Sequence, residues 1–394
     1  MPTPHVTILG AGYAGQMAAA RIAKRRPDVR LTVIDASPTF VERIRLHQIA
    51  AGGTVRERLT ASLLPGPARF LNGQISGWDV TARSLTVAID GGATQMTYDW
   101  CVLALGSRVD KCVPGVAEHA HTLDSPANAA RAAAQLTAKA RVLIVGAGLT
   151  GIEAATEIGE RRPDVAVTLV ASGRFGAGLS DAGARHVRTV LERHRVDIRE
   201  RTRIVALEPQ QALTDGGDPI PFDLCLWNGG FVAAPLARAA GLPVNSRGQV
   251  RVDATLRVPE RPEILVAGDA AEVAGLDGEP LRMACATAMP MGAYAGEAVA
   301  KLLAGETPKP FRFAYKIRCI SLGRRDGLIQ HVDETDAPVP QVWTGRTAAT
   351  LKEIVCRSTV LSIRGEARFR IPFYRWPQPS TQTTGLPQAA AVGK

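Results

Sequence analysis

The sequence contains an internal repeat. Residues 10–37 align without a gap with residues 146–173, and 13 of the 28 aligned pairs are identical. In both copies an apolar run leads into a Gly-x-Gly-x-x-Gly turn, a helix-like stretch follows, and a second apolar run begins after the shared motif Arg-Arg-Pro-Asp-Val. Two apolar runs flanking a helix are typical of a βαβ unit. The repeat therefore predicts an α/β fold with two such units, each built on parallel strands.

The glycine spacing has a physical explanation. The first glycine permits a tight turn, the second lets a pyrophosphate approach the backbone, and the third allows a helix to pack closely on a strand. The pyrophosphate then lies at a helix N-terminus, where free N–H groups and the helix dipole favour negative charge. Two copies in this context favour two dinucleotide sites over turns that serve packing alone. The glycines are Gly10, Gly12 and Gly15 in the first copy and Gly146, Gly148 and Gly151 in the second.

The two copies differ where their second strand ends. Asp35 ends the first copy, whereas Ala171 stands at the aligned position of the second. A carboxylate there binds ribose hydroxyls and repels a 2′-phosphate, so it disfavours NADPH. The alanine at this position of the second copy has no such effect. Ser172 and Arg174 follow, and an arginine can pair with the phosphate. We therefore expect the second site to use NADPH at least as well as NADH; the alternative is a solvent-facing arginine and an unselective site.

Composition excludes several classes of protein. The chain has 394 residues, of which 46% are hydrophobic and 21% charged, as expected for a globular protein of two or three domains. Its six cysteines include no Cys-x-x-Cys pair, so we expect no metal site. The N-terminus is unlike a signal peptide and no apolar run reaches about 18 residues, so we expect a cytoplasmic protein. The net charge of +10 is concentrated after residue 310, where 13 basic residues oppose 6 acidic ones.

Four further segments carry a family resemblance. Residues 104–107 (Ala-Leu-Gly-Ser) are similar to an Ala-Thr-Gly-Ser turn, and residues 268–270 (Gly-Asp-Ala) follow a strand-like run. Residues 46–52 are similar to Leu-Tyr-Gln-Val-Ala-Thr-Gly, and residues 227–230 to Trp-Thr-Ala-Gly. With the repeat, these segments resemble the two-dinucleotide-binding flavoproteins, above all type II NADH dehydrogenases and apoptosis-inducing-factor-like oxidoreductases.

The resemblance implies an α/β architecture like that of glutathione reductase. It has two Rossmann-like domains, one for FAD and one for NAD(P)H, and a small C-terminal domain. The alternating stretch from residue 77 to residue 98 predicts an antiparallel β-meander. The implied divisions are FAD binding in 1–115 and 240–310, NAD(P)H binding in 116–239, a C-terminal domain in 311–375 and a disordered tail in 376–394.

The resemblance also implies the residues around each ligand. For FAD they are Gly10, Gly12, Tyr13, Ala14, Gly15, Asp35, Ala36, Arg43, Ile75, Ala104, Leu105, Gly106, Gly268, Asp269, Thr287 and Ala288. For NAD(P)H they are Gly146, Gly148, Leu149, Thr150, Gly151, Ser172, Arg174, Asn228, Gly229 and Gly230. For the substrate they are His47 and Met289.

Hydride transfer between nicotinamide and flavin needs no protein nucleophile, so we expect positioning groups instead. Glu153 stands where relatives place a carboxylate near both rings; the alternative is an acid that interacts with a helix N-terminus. Thr287 is predicted to cap a helix aimed at the flavin, with Pro290 in its first turn.

Residues 42–47 lack the Cys-x4-Cys motif of disulfide reductases, which excludes disulfide reduction, and Cys285 is expected to serve packing.

Arg43, Arg45 and His47 alternate along the chain. On a strand they would share one face, either as a solvated edge or as contacts to an anionic group of the flavin or acceptor.

The leading functional hypothesis is an FAD-dependent NAD(P)H oxidoreductase that reduces a quinone or a similar small-molecule acceptor. Residues 284–291 lack the glutamines that type II enzymes carry beside the quinone, so that site does not transfer residue by residue. One alternative acceptor is a protein such as ferredoxin, which the basic C-terminal region could attract. Another alternative is an apoptosis-inducing-factor-like binding protein with slow redox activity. No nucleic-acid motif is present, so such binding is not expected, and a homodimer is left open.

The C-terminal region predicts an amphipathic helix over residues 347–363, with Leu351, Ile354, Val355 and Leu361 near one face. Arginines then alternate with aromatic residues up to Trp376. This pattern favours weak peripheral contact with the inner face of the membrane, and leaves open the alternative that the apolar face packs on the FAD domain.

Overall fold

The computed structural model describes residues 3–369 and 372–380. Its centre is a six-stranded sheet, here called the first sheet. Each neighbouring pair of strands is parallel except the pair at one edge, which is antiparallel. In spatial order its strands are Arg257–Val258, Arg261–Val266, Trp100–Leu103, His5–Leu9, Arg30–Asp35 and Ala68–Asn72.

The second sheet has five parallel strands. Their spatial order is Asp197–Arg199, Ala166–Val170, Arg141–Val145, Leu224–Trp227 and His121–Thr122. The helix Tyr13–Arg25 joins two adjacent strands of the first sheet, and Leu149–Arg161 joins the equivalent two of the second. Both predicted βαβ units are therefore present.

The remaining strands form smaller sheets. The predicted β-meander is confirmed as three antiparallel strands, Gln74–Asp79, Ser84–Ile89 and Gly92–Thr97. A second antiparallel group is Ile204–Glu208, Gln211–Thr214 and Ile220–Pro221. The C-terminal sheet is Ile317–Ser321, Gly327–Val332 and Pro338–Thr344. Two-stranded pairs are Ser107–Val109 with Phe231–Ala233, and Val250–Arg251 with Ala271–Glu272.

Further helices surround these sheets. The α-helices are Leu46–Ala50, Val116–His119, Pro126–Ala134, Asp181–Arg193, Leu236–Ala239, Cys285–Leu303 and Gly345–Arg368, and the 3₁₀ turns are Arg43–Arg45, Thr60–Leu63 and Gly268–Ala270. The predicted cap at Thr287 is wrong, because the helix begins at Cys285 after Ala284, and Pro290 lies beyond its first turn. The Thr287 hydroxyl instead donates to the carbonyl oxygens of Arg282 and Ala284.

The C-terminal helix, Gly345–Arg368, is longer than predicted and is anchored at its far end. Glu366 is buried and accepts from Arg21 at 3.0 Å and from Lys24 at 2.6 Å, both on the first βαβ helix. Val360 and Ile363 join the core of the first sheet. The C-terminal sheet contributes instead to the core of the second sheet. The C-terminal region therefore bridges both units.

The predicted apolar stripe of this helix is not its buried face. Ile354 and Leu361 are 55% and 63% exposed. Residues 376–380, predicted to start a disordered tail, are held by hydrogen bonds from Trp376 to the Arg312 carbonyl and from Ser380 to Glu334. The rest of the predicted tail, residues 381–394, lies outside the described residues. Within the described part of the chain, no helix is long and apolar enough to cross a membrane.

Candidate functional site

In the first glycine turn, the outer two glycines are tightly packed and the middle glycine borders open space. A Cβ on Gly10 would lie 2.4 Å from the Ala104 carbonyl oxygen, and one on Gly15 would lie 1.9 Å from that of Gly10. A Cβ on Gly12 would meet no atom within 4 Å. Packing therefore requires the outer glycines, whereas the middle one borders open space at the start of the helix Tyr13–Arg25, as a pyrophosphate site demands.

The second turn repeats this geometry. A Cβ on Gly146 would lie 2.4 Å from the Asn228 carbonyl oxygen, and one on Gly151 would lie 1.9 Å from that of Gly146. Gly148 again borders open space. The Asn228 side-chain nitrogen is buried and makes no hydrogen bond to any described residue. The residues present therefore fit a second dinucleotide.

Two carboxylates flank the first turn. Asp35 accepts from the backbone N–H of Ala11 at 2.7 Å and of Ser37 at 2.8 Å, and is partly exposed at the strand end. Asp269 is held by the Ser107 hydroxyl at 2.5 Å through Oδ2, while its buried Oδ1 makes no hydrogen bond of standard geometry to a described residue. Burial raises the pKa of Asp269. A buried oxygen without a partner is costly, so Asp269 is suited to a ligand hydroxyl.

Other residues predicted for FAD lie in several different elements of the structure. Gly106 follows the strand Trp100–Leu103, and the backbone of Gly268 packs against Ala14 and Ala288. Ile75 lies in the β-meander. Met289, predicted for the substrate, is buried in the core of the first sheet.

The prediction that Arg43, Arg45 and His47 lie on one strand face is wrong. They occupy the 3₁₀ turn Arg43–Arg45 and the helix Leu46–Ala50, where alternate residues diverge. Arg43 donates to the Ser107 carbonyl oxygen at 2.6 Å, beside Asp269. Arg45 forms a bidentate ion pair with the Glu353 carboxylate, with N···O distances of 2.9 and 3.0 Å. His47 is buried.

A buried ion pair joins the second turn to the C-terminal helix. Glu153 Oε1 lies 3.0 Å from Lys352 Nζ and also accepts from the Ser321 backbone N–H at 3.0 Å. Lys352 Nζ donates as well to the Cys319 carbonyl oxygen at 3.1 Å. His47 Nδ1 approaches Glu153 Oε2 at 3.6 Å, which is longer than a hydrogen bond. Glu153 thus has a specific cationic partner, and sequence reasoning missed Lys352 because 199 positions separate the two residues.

Charge at this cluster follows from burial and pairing. Burial disfavours ionisation of Glu153, but the charge of Lys352, His47 and the Ser321 N–H together outweigh it and lower the carboxyl pKa. Burial likewise opposes the charge on Lys352, but its acidic and thiol neighbours, Glu153 foremost, together outweigh burial and raise the ammonium pKa. Burial lowers the pKa of His47 despite the nearby carboxylate. At neutral pH the cluster therefore holds an ammonium, a carboxylate and a neutral imidazole.

This assignment predicts a pH effect on stability. With the pKa of His47 lowered in the folded state, the unfolded chain binds more protons just below about pH 6.5, so stability falls as pH falls through that range. We expect the free energy of unfolding of the His47→Asn variant to depend less steeply on pH in this range, by up to about 1.4 kcal/mol per pH unit. Urea unfolding at several pH values measures it, with the partly exposed His119→Asn as control. An unchanged slope in His47→Asn would contradict the assignment.

The cluster lies against a cavity of about 540 Å³. His47, Lys352, Ser321 and Cys356 contribute to its walls, and Met289 does not. Burial raises the pKa of Cys285 and Cys356, so neither thiol is a ready nucleophile. Lys352 Nζ is therefore the cationic hydrogen-bond donor that this cluster places in the cavity wall.

Comparison with known proteins identifies the family. The model of the family described as pyridine nucleotide-disulphide oxidoreductase matches residues 4–292. The chain belongs to this family. It is therefore a pyridine-nucleotide-dependent flavoprotein oxidoreductase, and the predicted fold class with two dinucleotide-binding units is confirmed.

The chain is also similar to individual proteins and to solved structures. The chain is 29% identical over 346 residues to an NADH dehydrogenase-like protein of Mycobacterium tuberculosis, covering 81% of this chain and 85% of that one. It is 24% identical over 397 residues to the type II NADH:quinone oxidoreductase of Staphylococcus haemolyticus, covering 91% and 96%. The structure of NDH2 from Plasmodium falciparum in complex with NADH has a TM-score of 0.79 at 12% identity, covering 93% of this chain and 97% of that one.

Proposed function

We propose that this oxidoreductase passes electrons from NAD(P)H through FAD to a quinone or a similar small-molecule acceptor. The observation that carries the proposal is the buried Glu153–Lys352 pair, which links the second dinucleotide turn to the cavity. Relatives named as NADH:quinone oxidoreductases add support. Bound FAD supplies hydride acceptance from a nicotinamide and electron delivery to an acceptor.

We assign each ligand to the residues that fit it. FAD is held by the first turn, with its pyrophosphate over Gly12, its ribose at Asp35 and a flavin-side hydroxyl at Asp269. NAD(P)H is held by the second turn over Gly148, with Asn228 beside it. The corresponding segments are 1–115 with 240–310 for FAD and 116–239 for NAD(P)H.

Lys352 and Glu153 then have distinct roles. Reduction of a quinone consumes two electrons and two protons: NAD(P)H, H⁺ and quinone give NAD(P)⁺ and quinol. Lys352 Nζ donates a hydrogen bond to the acceptor's carbonyl oxygen from the cavity wall, which stabilises the negative charge that develops there. Glu153 keeps Lys352 protonated and fixes its position. The neutral His47 imidazole lies beside both.

Steady-state turnover tests the proposal. Purified protein with NADH or NADPH is expected to reduce the neutral probe 1,4-naphthoquinone faster than it reduces oxygen or ferredoxin. Reduction of ferredoxin with no activity toward the quinone would favour the protein-acceptor alternative instead.

The second site predicts a cofactor preference. Arg174 and Ser172 are both exposed next to Ala171, which replaces the strand-end carboxylate of the first unit, and the neighbouring Glu200 carboxylate is already held by the Phe175 N–H at 2.9 Å and by Arg188. We expect NADPH to be used at least as well as NADH, and Arg174→Ala to lower kcat/KM for NADPH about tenfold with little change for NADH. The exposed Arg185→Ala is the control. A strong NADH preference that the Arg174 variant leaves unaltered would contradict this prediction.

We also propose weak peripheral contact with a membrane. The outer face of the C-terminal helix exposes Ile354 and Leu361, and Phe369 follows at 66% exposed. We expect weak binding to phosphatidylglycerol vesicles at low salt, reduced at least tenfold in Ile354→Ser/Leu361→Ser. Co-sedimentation measures it, with Leu59→Ser, 63% exposed elsewhere, as control. Equal binding by the wild type and the double variant would contradict membrane contact through this face.

A further inference from the structure

The walls of the cavity beside Lys352 are strongly cationic. One carboxylate, that of Glu353, lines the cavity, and Arg45 already binds both of its oxygens. Five cationic side chains line the same walls: Arg324, Arg325, Arg346, Lys352 and Arg357. Positive charge therefore exceeds negative charge around any molecule bound there.

Three of these cations already have acidic partners within the protein. These are Glu153 for Lys352 at 3.0 Å, Glu157 for Arg324 at 2.6 Å and Glu353 for Arg357 at 2.7 Å.

The other two cations, Arg325 and Arg346, are different. Both are exposed, so they lie toward the solvent side of the cavity. Across residues 3–369 and 372–380, neither side chain has an ion pair or a hydrogen bond. A guanidinium presents a planar fork of donors that matches an acidic group, so these two side chains are available to an anion.

The C-terminal helix begins beside these arginines. Arg346 is the second residue of the C-terminal helix, and no acidic residue stands in its first turn. Ala349 and Thr350, from the next turn, also line the cavity. The Asp326 carboxylate already accepts from the backbone N–H of Gly345 at 2.9 Å, so the free positive charge at this end of the cavity comes from the two arginines.

We propose that the acceptor is an anionic quinone, whose acidic substituent contacts Arg325 and Arg346 while its carbonyl oxygen accepts a hydrogen bond from Lys352. The inference rests on the quinone reductase function proposed above. A neutral quinone could accept a hydrogen bond from Lys352 and contact the apolar walls, but it would have no acidic group to bind the two arginines. The cavity volume is within the range of small-molecule sites. The substituent keeps its charge throughout, while the ring takes up two electrons and two protons.

A matched pair of probes tests the inference. The ratio of kcat/KM for 1,4-naphthoquinone-2-sulfonate to that for neutral 1,4-naphthoquinone is measured in the wild type and in Arg325→Gln/Arg346→Gln. We expect the ratio to fall at least tenfold in the double variant, because KM for the sulfonate rises. Comparison within each variant cancels the difference in reduction potential between the probes. Arg368→Gln, exposed on the same helix but outside the cavity, is expected to keep the wild-type ratio.

Other outcomes would overturn the inference. An unchanged ratio, or an equal loss for both probes, would remove the arginines from acceptor recognition. A loss confined to a lipophilic quinone on phosphatidylglycerol vesicles would assign them to lipid headgroups. If the wild type reduces neither probe, the proposed function itself fails, and this result is distinct from a wild type that reduces both with an unchanged ratio in the variant.

Discussion

Replacing Lys352 by methionine is expected to lower kcat for quinone reduction at least a hundredfold. The substitution removes the hydrogen-bond donor that stabilises negative charge on the acceptor, and loss of one such donor typically lowers kcat by a factor of about 10² to 10³. It also leaves the Glu153 carboxylate buried without its cation, which costs about 3–5 kcal/mol of unfolding free energy. Steady-state kinetics and urea unfolding measure the two effects, with the exposed Lys301→Met as control.

A second variant separates catalysis from stability. In Lys352→Met/Glu153→Gln the buried carboxylate is neutralised, so most of the lost unfolding free energy is expected to return, whereas kcat stays low. Recovery of kcat together with stability would mean that Lys352 has a structural role alone. Wild-type turnover in Lys352→Met would contradict the proposed role more directly.

Alanine at Gly12 and at Gly15 should give opposite phenotypes although only two residues separate them. At Gly15 the new Cβ would overlap the Gly10 carbonyl oxygen at 1.9 Å, so the helix and strand must separate. We expect a loss of about 3 kcal/mol or more, or failure to fold. At Gly12 the Cβ enters open space, so the apoprotein folds normally, but the methyl group occupies the place of the pyrophosphate. We expect that variant to be purified without FAD.

The flavin-to-protein absorbance ratio and apoprotein unfolding distinguish these outcomes. Gly148→Ala is the matched control, since its Cβ also meets nothing within 4 Å but lies in the second turn. It should retain FAD and raise KM for NAD(P)H. Full flavin occupancy in Gly12→Ala would contradict the assignment of the first turn to FAD.

The sequence alone determined the two βαβ units, the two glycine turns and the family. These features depend on residues that are close together in the chain. Glycines at this fixed spacing, flanked by strand-like runs, predict a dinucleotide-binding βαβ unit without any information from distant segments. The difference between Asp35 and Ala171 was likewise visible from the alignment of the chain with itself. The β-meander was predictable for the same reason, because its alternation is a property of neighbouring residues.

Only the tertiary structure decided which side chains meet at the cavity beside Lys352. Arg43, Arg45 and His47 alternate as strand residues do, but the chain is helical there, so Arg43 lies against Ser107, Arg45 against Glu353 and His47 near Glu153. Lys352 has no local signature, and it reaches Glu153 because the C-terminal sheet packs on the second unit while the far end of the C-terminal helix is anchored on the first. A long-range ion pair depends on how distant segments pack together, so the spacing of the two residues along the chain does not predict it.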